Sequence, residues 1–145
     1  MTVTKGVIAT AVAATGLANK QQNGYIDVRN KSMFDTYTTL GTEVTTSTIL
    51  MCGLLPVGAL IRNVTLINTA ITGGASVSVG DSNSAARYVA ATATSSAAKT
   101  QASLVTAIGY EIGTNAGDTQ ILLTVSGGTL AAAGTLQVIV DYAFD

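Results

Sequence analysis

The segment that decides the fold runs over residues 55–89 and reads LPVGALIRNVTLINTAITGGASVSVGDSNSAARYV. Pro56 and Gly58 predict a turn at its start, and the apolar and β-branched residues from Ala59 to Asn68 predict a β-strand. Beyond the glycines at 73 and 74, an alternation of valine and serine predicts a second, shorter strand. The segment therefore predicts two strands of an antiparallel sandwich. None of its residues has the pattern of a reaction centre.

Similar β-rich runs follow one another from residue 34 to the end of the chain. Their β-branched residues suit pleated strands, and the irregular alternation between Ile61 and Val64 indicates a β-bulge or a strand that changes sheets. Residues 30–32 and the Ala/Thr/Ser-rich run 90–103 are predicted to be loops, the second with at most one helical turn. The predicted strands cover residues 34–40, 44–54, 59–68, 76–80, 87–89, 108–112, 120–126 and 135–142.

Short strands separated by turn residues, with no long helix, predict an all-β protein: an antiparallel β-sandwich of jelly-roll type. Residues 1–24 carry few large side chains and end in a polar break, so they predict an extended N-terminal arm, and residues 25–145 the sandwich domain. Lys5 and the apolar residues after it resemble a signal peptide; because the chain retains Met1, we expect a retained arm. Alternation assigns seven aliphatic residues to the core: Leu66, Val77, Val79, Leu123, Val125, Val138 and Val140.

The composition predicts a weakly charged surface. Hydrophobic residues make up 48% of the 145-residue chain and aromatic residues 5%, so the core must be built from aliphatic side chains. Charged residues make up 10%, against roughly 25% in an average soluble domain. Uncharged polar residues or partner subunits must therefore cover the surface. The seven basic residues are scattered and the net charge is -1, so we expect no nucleic-acid ligand. The apolar stretch between Glu43 and Arg62 contains Pro56, which disfavours a membrane-spanning helix.

The sequence lacks the residue combinations that common catalytic sites require. It contains no histidine, which excludes Ser-His-Asp and Cys-His catalysis and most zinc sites. The glycine pairs at 73–74 and 127–128 are interpreted as hairpin glycines, not as phosphate-binding loops. Cys52, the only cysteine, lies in an apolar run that predicts a buried, inert thiol. We therefore expect no enzyme activity, no catalytic residue and no cofactor.

A short acidic motif follows the second strand of the deciding segment. Asp81-Ser82-Asn83 has part of the pattern of a calcium loop but lacks the third acidic position, the central glycine and the terminal glutamate. The alternative is a structural turn capped by Asp81, with Arg87 close enough to form an ion pair. We favour the structural turn and expect no metal, although spacing alone leaves both readings open.

Several of these segments together resemble a group of small tailed-phage virion proteins. The resemblance rests on Leu55-Pro56-Val57-Gly58-Ala59, Val79-Gly80-Asp81-Ser82, Ala86-Arg87-Tyr88-Val89 and Ile121–Leu130, followed by Ala133-Gly134-Thr135-Leu136. Such proteins are similar to capsid decoration (cement) proteins and head-fibre base domains, and the resemblance covers roughly residues 34–143.

This resemblance implies a homotrimer on the outer surface of an icosahedral phage head, where it binds the major capsid protein and stabilises the expanded shell. The apolar residues of the arm are then the expected capsid contacts: Val7, Ile8, Val12 and Leu17. Three tethered arms per trimer bind with avidity.

Three other classes of protein share parts of this pattern. A tail-fibre or head-fibre module for receptor binding or adhesion uses exposed aromatic residues, and two Phe and five Tyr offer few. A carbohydrate-active enzyme needs two carboxylates facing each other across a cleft. A secreted adhesin makes the N-terminus a cleaved signal. The decoration protein accounts best for the low charge, the missing catalytic residues and the apolar arm.

Overall fold

A computed structural model describes residues 29–102, 107–114 and 117–144 of the chain. In this part no helix is long and apolar enough to cross a membrane. The described strands are β1 (Arg29–Thr38), β2 (Thr48–Leu54), β3 (Leu60–Asn68), β4 (Ser76–Gly80), β5 (Val89–Ala93), β6 (Ala98–Gln101), β7 (Gln120–Ser126) and β8 (Thr135–Phe144).

The strands form two four-stranded antiparallel sheets with the orders β1-β8-β3-β6 and β2-β7-β4-β5. The pairing is nested: β4 pairs with β5, β3 with β6, β2 with β7 and β1 with β8. Each pair encloses the next one, as in a single long hairpin rolled over itself. The predicted antiparallel β-sandwich is confirmed.

Aliphatic side chains from both sheets fill the space between them. All seven predicted core residues are buried, and β7 and β8 alternate strictly between buried and partly exposed positions over most of their length. This alternation follows from the geometry of a strand, whose successive side chains point to opposite faces. The predicted bulge in β3 is also confirmed, because its pairing with β8 shifts register between Ile61 and Asn63.

Two segments predicted to be loops contain strands in the structure. Residues 90–103 contain most of β5 and all of β6, which are the edge strands of the two sheets on one side. The backbone of β5 pairs with β4, for instance Val89 with Val79. Threonine favours strands whereas alanine does not, so in this mixed segment the neighbouring strand decides the conformation. Residues 30–32 likewise belong to β1.

The predicted strand over residues 108–112 is wrong. Gly109 has a left-handed φ of 86°, which turns the chain where a strand must stay extended. Among the described residues, this segment makes one isolated bridge, between Glu111 and Leu60 at the start of β3. Its isoleucines carried the prediction, but one of them is exposed and lies in a turn.

The interpretation of the two glycine pairs as hairpin glycines is also wrong. Residues 73–74 connect β3 to β4 and residues 127–128 connect β7 to β8, so both connections cross from one sheet to the other. The two connections touch: a Cβ on Gly73 would lie 2.0 Å from the Thr129 carbonyl oxygen, and one on Gly128 would lie 2.6 Å from that of Gly73. Glycine is needed here because two backbones meet.

This contact predicts different effects for two adjacent substitutions. Gly73 and Gly74 both have positive φ values, 114° and 72°, so alanine is strained at either position by about 1–2 kcal/mol. Only at residue 73 does the new methyl group also collide with backbone. We expect Gly73→Ala to lower the free energy of unfolding by at least ~2 kcal/mol more than Gly74→Ala, measured by urea denaturation. Equal losses for the two variants would contradict the backbone contact.

Candidate interaction surface

Large apolar side chains are exposed along one segment of the chain, from the middle of β1 to the start of β3. Phe34 and Leu40 have 63% and 69% of their surface exposed, far more than expected for anchors of a core. With Ile108 as the exception, the exposed large apolar residues of the described part lie between residues 34 and 60: Phe34, Leu40, Val44, Leu50, Leu54, Val57 and Leu60. Isolated exposed apolar residues are common, but a concentration of them marks an interaction surface.

The strands β1 and β2 form one flank of the sandwich. Each is the edge strand of its sheet, and a hydrogen bond joins the two edges: the Cys52 N–H donates to the Asp35 carboxylate at 3.0 Å. The Cys52 thiol lies against the Val138 carbonyl oxygen at 3.6 Å. Residues 34–54 are called the β1–β2 flank from here on. Its two edge strands leave backbone groups open to a partner.

The hydrogen bond from Cys52 holds an unusual bulge in β2. Cys52 and Gly53 both have left-handed backbones, with φ values of 58° and 65°, and the pairing of β2 with β7 shifts register between Met51 and Leu54. Burial and then the nearby Asp35 carboxylate raise the pKa of the Cys52 thiol to about 11. A thiol that stays protonated at neutral pH is a poor nucleophile, so this cysteine serves packing.

A buried carboxylate shapes the connection between β1 and β2. Glu43 accepts hydrogen bonds from the Tyr37 hydroxyl at 2.5 Å, from the Leu40 N–H at 2.8 Å and from the Gly41 N–H at 3.0 Å. Burial opposes its ionisation, but these hydrogen bonds and that of its own N–H outweigh burial and lower its pKa to about 2. The ionised side chain therefore fixes the loop that presents Leu40 and Val44.

The same connection is tied to the loop before β8. The Thr39 hydroxyl donates to the Ala131 carbonyl oxygen at 2.5 Å and accepts from the Gly134 N–H at 2.9 Å. The Leu130 N–H donates to the Glu43 carbonyl oxygen at 3.0 Å. These bonds hold the base of the loop on the sandwich. The exposed apolar side chains of the loop are thus presented by a fixed backbone, which lowers the entropic cost of binding a partner.

Glu43 makes the stability of this loop depend on pH. Its folded-state pKa of about 2 lies below the ordinary value of 4.5, so its contribution is complete above about pH 4.5 and is lost as the pH falls through 2. We expect Glu43→Gln to lower the free energy of unfolding at pH 7 by about 2 kcal/mol, because hydrogen bonds to a charged group contribute roughly 1.5–3 kcal/mol. The difference from the wild type should shrink towards pH 2.

Urea denaturation at several pH values between 7 and 2 measures this effect. Glu111→Gln is the matched control, because Glu111 is exposed and its loss should change stability little. A Glu43→Gln variant with the stability and pH profile of the Glu111→Gln control would show that Glu43 does not organise the loop.

The structure brings Asp81 and Arg87 together in an ion pair. The Asp81 carboxylate also accepts the N–H groups of Asn83 at 2.9 Å and Ser84 at 2.8 Å. The Arg87 guanidinium stacks on the Tyr110 ring, 4.3 Å from its centroid, and the hydrogen bond to Asp81 raises its pKa. Both carboxylate oxygens are thus occupied by N–H donors beside a cation, which favours the capped turn over a calcium loop.

The proposed capsid contacts Val7, Ile8, Val12 and Leu17 lie outside the described residues, as do the rest of the arm and the boundary at residue 25. Sequence reasoning missed the β1–β2 flank. Its signal was present, because Phe34 and Leu40 share a strand phase with threonines. Periodicity does not tell which face of a strand is buried, and the run around Leu50 and Leu54 has the composition of a core strand.

The fold is similar to that of chains in three phage capsid structures. One is the capsid asymmetric unit of cyanophage Pam1, with a TM-score of 0.70 and 26% identity over 81% of this chain and 86% of that chain. The capsid of Ralstonia phage GP4 gives a TM-score of 0.64, 16% identity and coverages of 81% and 85%. The acid-stable capsid of the Helicobacter pylori phage KHP30 gives 0.56, 13% and coverages of 79% and 87%.

The matched chains are close to this one in length, because the similar regions cover comparable shares of both chains. The likenesses to the Ralstonia and Helicobacter phage chains show the fold alone. No protein-family model matches the chain, and no curated protein matches it. The likeness to the cyanophage Pam1 chain supports a phage capsid-related protein.

Proposed function

We propose that this protein is a capsid decoration protein that binds the outer surface of a phage head and stabilises the expanded shell. The observation that carries the proposal is the likeness to a chain of the cyanophage Pam1 capsid, at 26% identity over 81% of this chain. A virion structural role also agrees with the nested strand pairing. We interpret that pairing as a jelly roll, an architecture common in viral capsid domains.

A second copy of this chain is the proposed occupant of the β1–β2 flank. Between residues 34 and 54 the sequence contains two charged residues, Asp35 and Glu43. Glu43 is buried, and the Asp35 carboxylate accepts the Cys52 N–H. Interface cores are depleted in charge and enriched in apolar side chains, which is the chemistry that Leu40, Leu50 and Leu54 present. Copies arranged around a threefold axis would cover this surface in each subunit and give a homotrimer.

The N-terminal arm is the proposed anchor on the head. Its apolar residues Val7, Ile8, Val12 and Leu17 would contact the major capsid protein, and three arms in one trimer would bind with avidity. A protein that binds only the assembled, expanded shell stabilises that state by mass action. This accounts for a role in the virion without any enzymatic activity.

The oligomeric state tests the role of the flank. We expect the wild-type protein to be a trimer in light scattering and Leu40→Glu to shift it towards monomer, because the substitution places a charge in an apolar contact. Lys99→Glu, on an edge strand of the opposite flank, is the control and should remain trimeric. A wild-type monomer at micromolar concentration, or a Leu40→Glu variant as trimeric as the control, would rule out this interface.

Deletion of residues 1–20 tests the anchor. On heads purified from a phage that lacks the protein, we expect the full chain to bind and the truncated chain to lose most of its binding, because it keeps the sandwich but not the arm. Circular dichroism checks that the truncated protein is folded. Full occupancy by the truncated protein would contradict the anchoring role, and absence of binding by the full chain would contradict the decoration function.

A further inference from the structure

A charged groove lies outside the β1–β2 flank, on the sheet formed by β1, β8, β3 and β6. It has a volume of about 380 Å³ and crosses three neighbouring strands. Asn63 of β3 faces Asp141 of β8 in the strand register. Side chains of β1, β3 and β8 line the groove: Asn30, Lys31, Ser32, Arg62, Asn63 and Asp141.

The charges of the groove are not neutralised within the described part of the chain. The ion pair that this part contains joins Asp81 and Arg87, so Arg62, Lys31 and Asp141 lack an ionic partner there. The Lys31 ammonium instead lies 5.3 Å from the centroid of the Phe144 ring. In a chain with 10% charged residues, two cations and a carboxylate at one groove are a concentration of unpaired charge.

We propose that this groove binds an acidic peptide segment of the capsid protein. The inference rests on the proposed decoration function and names the surface that faces the shell. Lys31 and Arg62 would receive a carboxylate, for which the guanidinium offers a two-pronged donor. Asp141 would accept N–H groups of the same segment. Asn63 also lines the groove and donates its amide N–H to the Thr65 hydroxyl at 3.0 Å, so its side-chain carbonyl oxygen would be the acceptor that it offers.

The mixture of charges favours a peptide over a nucleic acid. A polyphosphate is bound by clustered cations and backbone N–H groups, and the Asp141 carboxylate would repel it. A peptide brings both carboxylates and N–H donors, which match the two cations and the acceptors of the groove. A second groove on the same sheet, of about 200 Å³, is lined by uncharged residues that include Asn68 and Gln137, so charge distinguishes the first groove from this one.

Charge reversal on this sheet tests the inference. Arg62 and Lys99 are both exposed cations of the sheet, but only Arg62 lines the groove. We expect Arg62→Glu to weaken binding to heads lacking the protein by about tenfold or more, and Lys99→Glu by less than about twofold. The wild-type affinity should also fall more steeply with added salt than that of Arg62→Glu, because the variant has lost the attraction that salt screens.

The outcomes separate this inference from the proposed function. Wild-type binding to heads with equal affinities for Arg62→Glu and Lys99→Glu would overturn the groove and leave the decoration role intact, whereas no wild-type binding would overturn the decoration role itself. Binding of the wild type to duplex DNA of random sequence, lost in Arg62→Glu, would replace the acidic peptide by a nucleic acid and so contradict the inference. Circular dichroism and trimer mass confirm that both variants are folded and assembled.

Discussion

Valine, leucine and isoleucine side chains from β3, β4, β7 and β8 meet between the two sheets, and the rest of the structure depends on this burial. Fully buried residues such as Leu66, Val79, Leu123 and Val138 supply the aliphatic contacts. At roughly 25 cal/mol per Å² of apolar surface, such burial is the main favourable contribution to folding. With few charges and few aromatic residues, the chain has little else with which to offset the entropy of ordering.

The same constraint explains how polar groups are used. Glu43, Asp81 and Asn68 are buried, and each is satisfied by hydrogen bonds to backbone groups of turns or loops. The glycines at 73 and 128 let two sheet-crossing connections touch without side chains between them. Polar and glycine residues thus fix the ends of the sandwich. Of the eight exposed large apolar side chains in the described residues, five lie on the β1–β2 flank.

Much of the fold could be predicted from the sequence, because apolar and polar residues alternate clearly in the central strands. Strict alternation in β7 and β8 identified buried residues correctly. The strands β5 and β6 could not be found in this way, since their small side chains show no clear alternation and pairing with β4 and β3 decides their conformation. The predicted strand at 108–112 is wrong because the prediction relied on the two isoleucines and missed the turn at Gly109.

The candidate surfaces were less accessible to sequence reasoning than the fold. An exposed Phe34 and a buried Val79 both sit in alternating runs, and only the packing of the two sheets tells them apart. The groove that contains Arg62 and Asp141 is assembled from three strands that are distant in sequence. The paired residues Asp81 and Arg87 were recognisable because they belong to one local turn, where separation along the chain limits the distance.

The β1–β2 flank would contact other copies of this chain, whereas the N-terminal arm and the charged groove would contact the capsid protein. The account therefore requires that the protein resides on heads. Quantitative mass spectrometry of separated heads and tails, from the phage that encodes the chain, tests this most directly. The account predicts that the protein copurifies with DNA-filled heads in many copies, in a fixed ratio to the major capsid protein. A protein found on tails in a few copies, and absent from heads, would contradict it.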